Sequence, residues 1–480
     1  MYLNEDLLID ILHKTGADAV HPGYGFLSEV PSFAQKVEDA GAIWVGPHHT
    51  ALVDLGDKIT ARRVALRAKV PPVPGLSEPV TDVRTLLDFA HTHGYPIMMK
   101  RTDGGGGHGI TVVHDDEELR RFYMNHDALQ GGDLKEYFIE KFVDKARHVE
   151  TQSGRDSHGN FTVYSTRDCS LQRRNQKLVE EAPAPFLSEE IISTLEEYSR
   201  RLFTTVGYVG LGTCEFMVTP NGKVYFLEVN PRLQVEHTVS EEVSGLDLVR
   251  EQLNIAAGGE LTRAPELRGH SFELRITSED PATNLTPGSG TLEKLQWPAG
   301  PGVRIDSNLS AGYEFPPNYD SAGSLLIAYG RDWQKVLGIM DRALTEYMVG
   351  GVKTTIPFYR QVLKHPAFRA GMFDTGFIPS APELMIYADL APESERLAKL
   401  IAEISAKGYN PFVQLGEYRS HTTPRLPRQD VVLPAIPSKV RKEPSPYPHG
   451  DRVALLDYVR DSGRVHFTDT TTRDSTQSSL

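Results

Sequence analysis

The sequence is short of cysteine, of cationic excess and of long apolar runs, and each shortage removes a class of protein. Only two cysteines, Cys169 and Cys214, occur in 480 residues. Two thiols cannot staple a fold or cage a metal, and such sparing use fits a reducing compartment, so a cytoplasmic setting is expected. Lys and Arg total 51 against 64 Asp and Glu, a formal charge of −13. With no basic footprint, nucleic acid is not an expected partner, and an anionic ligand must be held by a local cluster of cations. No apolar run approaches the ~18 residues of a membrane span. The N-terminus, Met1-Tyr2-Leu3-Asn4-Glu5-Asp6, turns acidic where a secretory signal would be basic and then apolar, so neither a membrane span nor a signal is expected. There is no repeat of solenoid length and no Gly-Lys-Ser/Thr after a glycine run, and the glycine run Gly104 to Gly109 is not the Gly-x-Gly-x-x-Gly of a dinucleotide site.

What is present suffices for several cores: 39% of residues are hydrophobic and 24% charged, and the length predicts about three domains. Leu7, Leu8, Ile11 and Leu12 recur with helical spacing, and Ala17 to Pro22 reads as a short strand. A helix over Pro31 to Ala40 and a strand over Ala42 to Val45 follow, an alternation that predicts a parallel α/β layer. That layer opens with no preceding strand, so a shortened front end is expected. Val70-Pro71-Pro72-Val73-Pro74 predicts a boundary. A smaller unit then holds a helix near Asp82 to Gly94, a strand Pro96 to Lys100, a glycine loop and a strand Ile110 to Val113. Strands dominate Glu140 to Asn230, interrupted by an amphipathic helix near Ser188 to Val206. A helical stretch covers Ser240 to Ala257, and further helices lie near Trp333 to Met348 and Thr355 to Lys364. Beyond Leu384 come a charged helix, Pro392 to Lys407, a proline-bearing linker, Pro424 to Pro448, and one strand, Arg464 to Asp469. The expected domain limits are 1–70, 71–142, 143–385, 386–462 and 463–480.

Four stretches carry residues suited to chemistry. Lys100 ends a strand and precedes Gly104, Gly105, Gly106 and Gly107. Glycines allow backbone N–H groups to cradle phosphate oxygens while a lysine adds a point charge, although a hairpin tip would look alike. Next, Asn221-Gly222 between alternating runs is a strong hairpin signal. If those two residues form the turn, Glu215 faces Glu228, with Asn230 two positions further on the same side. Facing carboxylates repel unless a cation lies between them, and two hard oxygen donors suit Mg²⁺. A slipped register in a four-residue loop is the alternative. In Asn230-Pro231-Arg232-Leu233-Gln234-Val235-Glu236-His237, an extended chain points Arg232, Gln234 and Glu236 one way, giving an anion-binding guanidinium near a carboxylate base. An ordinary surface ion pair is the plainer reading. Finally, Arg167 to Lys177 is basic, either a solvated face or counter-charge for phosphate or bicarbonate.

Together, His21 to Glu29, Gly56-Asp57-Lys58, the Lys100 loop, Glu140-Lys141-Phe142, Arg147-His148-Val149-Glu150, Arg167 to Lys177, Glu215 with Glu228, and Asn230 to His237 resemble the biotin carboxylase family of ATP-grasp enzymes, in unbroken order from Tyr2 to Ile378. The resemblance implies a mixed α/β and α+β architecture. Its parts are an ATP-grasp fold with a partial N-terminal parallel layer, a glycine-loop lid and a C-terminal biotin carboxylase subdomain. It implies that Lys58, Lys100 and Gly104 to Gly107 hold ATP phosphates, with Glu140, Lys141, His148 and Gln172 around the adenosine. Glu215, Glu228 and Asn230 would hold Mg²⁺ or Mn²⁺. Glu236 would deprotonate bicarbonate, Lys177 and Arg232 would hold that anion, and Arg304 would stabilise enolised biotin. The sequence departs from the family pattern at Asp103, His108, Asn175 and Ser321-Ala322-Gly323-Ser324. The tail from Phe467, with Arg473-Asp474, resembles the opening strand of a carboxyltransferase barrel. No Met-Lys-Met occurs, so biotin is expected on a separate carrier, with a carboxyltransferase component and a second copy of the chain as further partners. A catalytically silent assembly partner, or another ATP-grasp ligase, is the rival expectation.

Overall fold

The computed structural model describes residues 2–76, 78, 82–101, 109–126, 132–173, 176–315 and 321–386. The glycine loop and everything expected beyond residue 386 lie outside them, including the charged helix, the linker and the terminal strand.

The N-terminal layer forms as its alternation predicts. Helix α1 (Glu5–Thr15) starts where the Asn4 side chain accepts the Leu7 N–H and stops at Gly16 with φ 63°. Strand β1 (Ala19–Val20) pairs in parallel with β2 (Ile43–Trp44), on either side of α2 (Pro31–Asp39). Two further helices, α3 (His49–Gly56) and α4 (Lys58–Arg67), were not legible in the apolar spacing. The break between them is Asp57, whose carboxylate caps α4 at Thr60 and makes Lys58 its first residue.

The lid is a three-stranded antiparallel sheet in the order β4 (Ile110–Val113), β3 (Ile97–Arg101), β5 (Tyr137–Lys141). Helices α5 (Val83–His93) and α6 (Asp116–His126) cover it through a core that includes Leu86, Ile97, Met99, Leu119 and Ile139.

The main sheet has eight antiparallel strands. Its order begins β10 (Val224–Asn230), β9 (Gly210–Val218), β6 (Arg147–Arg155), β7 (Phe161–Arg173), β8 (Gln176–Ala182), β11 (His270–Thr277) and ends with Ala322–Gly330 and Val303–Ser307. On one face, α4 and α7 (Glu189–Thr205) pack on Val149, Cys214, Phe216, Phe226 and Val229. The expected helix from Ser240 to Ala257 is two helices, α8 (His237–Ser244) and α9 (Leu248–Ala256). Gly245 ends the first at φ 70° and Asp247 caps the second. Helix α10 (Trp333–Glu346) backs the far end of the sheet.

The proline run is a strap as well as a boundary. The Phe226 N–H donates to the Pro71 carbonyl at 2.8 Å and the Val73 N–H to the Phe226 carbonyl at 3.1 Å. Prolines without N–H groups thus cover an edge strand that would otherwise be open to pairing. Among the described residues no helix is long and apolar enough to cross a membrane.

Candidate active site

The site is built on the β9–β10 hairpin, and its register comes from an unexpected place. The Thr219 N–H donates to Lys223 O and the Gly222 N–H to Thr219 O, both at 2.9 Å, so the loop has three residues, with Gly222 at φ 76°. Beside this loop Phe216 faces Phe226, one position off the register of a two-residue Asn-Gly turn. A bulge between Phe226 and Glu228 then inserts Leu227, after which Glu215 faces Glu228 and Thr213 faces Asn230. Phe226 and Val229 both point into the apolar core. The extra residue is what turns Glu228 and Asn230 to the opposite face, beside Glu215.

The row continues across the sheet. Glu215 faces Glu150 of β6, and Glu150 faces Arg167 of β7, so Glu228, Glu215, Glu150 and Arg167 line up over four strands. Arg167 is fully buried, donating to Glu150 at 2.5 Å, Gln152 at 2.7 Å and Gln234 at 2.9 Å. Lys177 closes the row, its Nζ lying 2.6 Å from Glu150, 3.0 Å from Glu215 and 2.6 Å from Glu236. Burial favours a neutral amine at Lys177, but the three carboxylates outweigh it and hold the group well above the usual lysine value. Burial likewise opposes ionisation of Glu236, yet Lys177, Arg275 and Arg167 hold its carboxyl below the usual range, so it is an anion at neutral pH.

Glu228 behaves differently. Burial and the charges of Glu215 and Glu29 raise its carboxyl, against the opposing charges of Lys58 and Lys100. It is the carboxylate of the row least compensated by the protein's own cations. Two facing carboxylates, one of them short of positive charge, form a donor set that fits a hard divalent cation such as Mg²⁺. The Asn230 amide donates to Glu215 at 2.8 Å and its oxygen accepts from Arg232 at 3.3 Å, so it orients Glu215.

The segment after Asn230 is not extended. Pro231 ends β10, and the chain bends so that Arg232 and Gln234 part company. The Arg232 Nε lies 2.7 Å from Glu29 in the His21 to Glu29 loop, while Gln234 donates to Glu215 at 2.8 Å. Glu236 sits at the N-terminus of α8, where it meets Lys177 and, at 3.0 Å, Arg275.

Toward the lid, Lys100 and Arg62 each lie 2.5 Å from Glu140 in a buried triad. Lys141 is on the other face of β5, exposed, with its ammonium on the His93 carbonyl at 2.9 Å, so its side chain does not join Glu140. His148 is shared between Gln172, 2.5 Å from Nδ1, and Glu215, 2.8 Å from Nε2. Arg304 stands apart from the Lys177 cluster, paired with Asp306 at 2.7 Å and with Glu241 of α8 at 2.8 Å. Gly104 to Gly107 lie outside the described residues. Sequence reasoning assigns no role to Glu150, Arg62, Arg275 or Glu180. The available signal was a charged residue in the middle of a strand whose neighbours are buried, as at Glu150.

Comparisons with known proteins agree with this architecture along the chain. The family described as Biotin carboxylase, N-terminal domain, matches residues 1–52, Carbamoyl-phosphate synthase L chain, ATP binding domain, matches 57–264, and Biotin carboxylase C-terminal domain matches 273–380. The chain is 46% identical over 370 residues to the biotin-dependent acyl-coenzyme A carboxylase alpha3 subunit of Mycobacterium leprae, covering 76% of this chain and 62% of that one. A pyruvate carboxylase subunit from Methanothermobacter thermautotrophicus is 40% identical over 383 residues, 78% of each chain. Against rat mitochondrial pyruvate carboxylase the match runs along all of this chain but spans 41% of that protein. The biotin carboxylase domain dimer of Hydrogenobacter thermophilus 2-oxoglutarate carboxylase, solved with MgADP, ADP and bicarbonate, superposes with a TM-score of 0.77 at 38% identity over 81% of this chain and 86% of that one. A shared fold in three consecutive segments, at this identity and coverage, places the chain in the biotin carboxylase family of ATP-grasp ligases.

Proposed function

We propose that the chain catalyses ATP- and bicarbonate-dependent carboxylation of biotin through carboxyphosphate, as one component of a biotin-dependent carboxylase. The observation that carries the proposal is the convergence of Lys177 on Glu150, Glu215 and Glu236, at 2.6, 3.0 and 2.6 Å, beside the Glu215–Glu228 pair.

Bicarbonate is a poor nucleophile until its proton leaves. Glu236, held anionic and within hydrogen-bond reach of Lys177, is the base for that proton, while Lys177 and Arg232 hold the anion. The deprotonated oxygen attacks the γ-phosphorus, ADP departs and carboxyphosphate forms. Its breakdown gives carbon dioxide and phosphate. The phosphate takes the ureido proton of biotin, Arg304 steadies the resulting enolate, and the ring nitrogen captures carbon dioxide. Lys58, Lys100 and the loop Gly104 to Gly107 bind the triphosphate. Glu140, His148 and Gln172 line the nucleotide side, whereas the Lys141 side chain lies on the other face of β5. Glu215 and Glu228, with Asn230 alongside, would hold Mg²⁺ or Mn²⁺, which supplies charge neutralisation at the transferring phosphate.

The same proposal places biotin on a separate carrier, passes the carboxyl group to a carboxyltransferase component and has the chain work as a homodimer. The two buried, unpaired cysteines are in keeping with a cytoplasmic setting. The test is ATP cleavage with free biotin, with and without bicarbonate, by wild type and Glu236→Gln. Wild-type cleavage should require bicarbonate and the substitution should abolish it. Equal rates would remove Glu236 from the mechanism. A folded wild type that cleaves nothing would favour a silent assembly partner.

A further inference from the structure

Two carboxylates outside the chemistry just described face each other in the sheet interior. Glu180 of β8 is the direct cross-strand partner of Glu273 of β11, and both are 0% exposed. One oxygen of Glu180 accepts from the Arg275 Nε at 2.7 Å, and the Arg275 Nη2 reaches Glu236 at 3.0 Å. One oxygen of Glu273 accepts from the Thr238 hydroxyl of α8. The second oxygen of each, Glu180 Oε2 and Glu273 Oε1, is buried with no hydrogen-bond partner among the described residues.

The surroundings do not supply enough positive charge for two anions. Arg275 is divided between Glu180 and Glu236, and Lys177 already serves Glu150, Glu215 and Glu236. On its other side Glu273 faces Ile327, and the Tyr359 hydroxyl above donates to backbone carbonyls of Leu178 and Arg275. Facing carboxylates in a dry site resolve their repulsion by keeping a proton.

We propose that Glu180 and Glu273 hold one proton between them, with Glu273 the neutral acid and Glu180 the anion, so that Glu180 is a positioning residue that fixes Arg275 beside the Glu236 carboxylate. Glu180 has the guanidinium and Glu273 has only a hydroxyl, which fixes the order of protonation. Burial raises both carboxyls, but Arg275 pulls Glu180 back down, whereas the charge of Glu180 adds to burial and pushes Glu273 well above the usual range. The positioning half rests on Glu236 being the base proposed above. The proton-sharing half does not.

The experiment compares Glu273→Gln and Glu180→Gln in the full chain by two readouts. The first is the unfolding midpoint from pH 5 to pH 9. A carboxyl raised in the folded state binds a proton there that an unfolded Glu, with a value of about 4.3, has lost. Stability therefore falls as pH rises toward the folded value. Glutamine cannot ionise, so the midpoint of Glu273→Gln should gain on wild type steadily as pH rises. A gap that stays flat with pH overturns proton sharing. The second readout is bicarbonate-dependent ATP cleavage. Glu273→Gln should stay within about two-fold of wild type, whereas Glu180→Gln, which loses a charge-assisted hydrogen bond, should lower the maximal rate about ten-fold. The ATP KM should not move, a split that general loosening of the sheet would not produce. Equal damage by both substitutions, or none by Glu180→Gln, overturns the positioning role. If wild type shows no bicarbonate-dependent cleavage, the positioning half falls with the proposed function, and the midpoint series still decides whether the pair shares a proton.

Discussion

The lid side and the sheet floor each bury a charge cluster, and the two clusters have opposite balances. Where β3 and β5 meet α4, the single carboxylate of Glu140 answers two cations, Arg62 and Lys100. On the floor, Glu150, Glu215 and Glu236 share Lys177, Arg167 pairs with Glu150, Glu228 faces Glu215 across the hairpin, and Arg275 is already committed in part to Glu180. A surplus of positive charge above and of carboxylate below is the asymmetry that a nucleotide carrying a divalent cation would complete. Its triphosphate meets the cations and its metal meets the acids. Neither cluster is chiefly a stability device, because isolated buried charges cost more in lost hydration than well-packed apolar groups would.

The harshest way to break the contrast is Lys177→Met. Three carboxylates would lose their common cation, and removing one partner of a buried ionic network costs about 3–5 kcal/mol. Urea unfolding should show that loss, and a change below about 1 kcal/mol would mean that solvent already screens the cluster. A gentler break is on the lid side and leaves every charge in place. A Cβ at Gly75 would stand 2.6 Å from the Ile139 carbonyl oxygen, 2.9 Å from Glu140 Cγ and 3.0 Å from an Arg62 nitrogen. Gly75→Ala should therefore spread the Arg62–Glu140 contact at a cost of about 1–3 kcal/mol, as overpacked sites do. It should weaken ADP binding by calorimetry more than it alters Mn²⁺ binding, and the reverse order would contradict the division of labour. The smallest effect sharpens the contrast between buried and exposed lid charges. The hydrogen bond from His126 holds the Asp133 carboxyl below its ordinary value against a small opposing effect of burial. A depressed carboxyl stabilises above its unfolded value, about 3.9, and that contribution is lost as pH falls through the folded value. Asp133 is 35% exposed, so Asp133→Asn should cost under about 1 kcal/mol at pH 7 and progressively less as pH falls below about 3.9. A larger loss at pH 7 would show that this rim is as tightly coupled as the Glu140 triad.

Much of the architecture was legible because it is written in short-range pattern. The parallel pair β1–β2, the lid strands β3 and β4 and the helix α7 all follow from local alternation and capping. The facing of Glu215 and Glu228 was also foreseeable, but for an incomplete reason. The Asn221-Gly222 signal marks the hairpin correctly, whereas the loop holds three residues, and it is the bulge at Leu227 that restores the pairing. Nothing in Phe226-Leu227-Glu228 distinguishes a bulge from plain alternation, since parity depends on what the two faces pack against. The remaining partners are joined only by the fold. Arg62 finds Glu140 across 78 residues and Arg275 finds Glu180 across 95, and local periodicity carries no information at such separations. The strap at Val70 to Val73 is half legible for a related reason, because prolines that read as a boundary are here also the cover of a sheet edge.

The most direct test of the charge contrast is Mn²⁺ uptake followed by electron paramagnetic resonance, in the presence of ADP, for wild type and Glu228→Gln. With circular dichroism unchanged between the two, wild type should take up the ion and the substitution should weaken that uptake at least about ten-fold, the loss of one strong charged ligand. Equal uptake by both proteins would mean that the Glu215–Glu228 pair does not hold the metal, and the reading of the floor as a cation seat would be wrong.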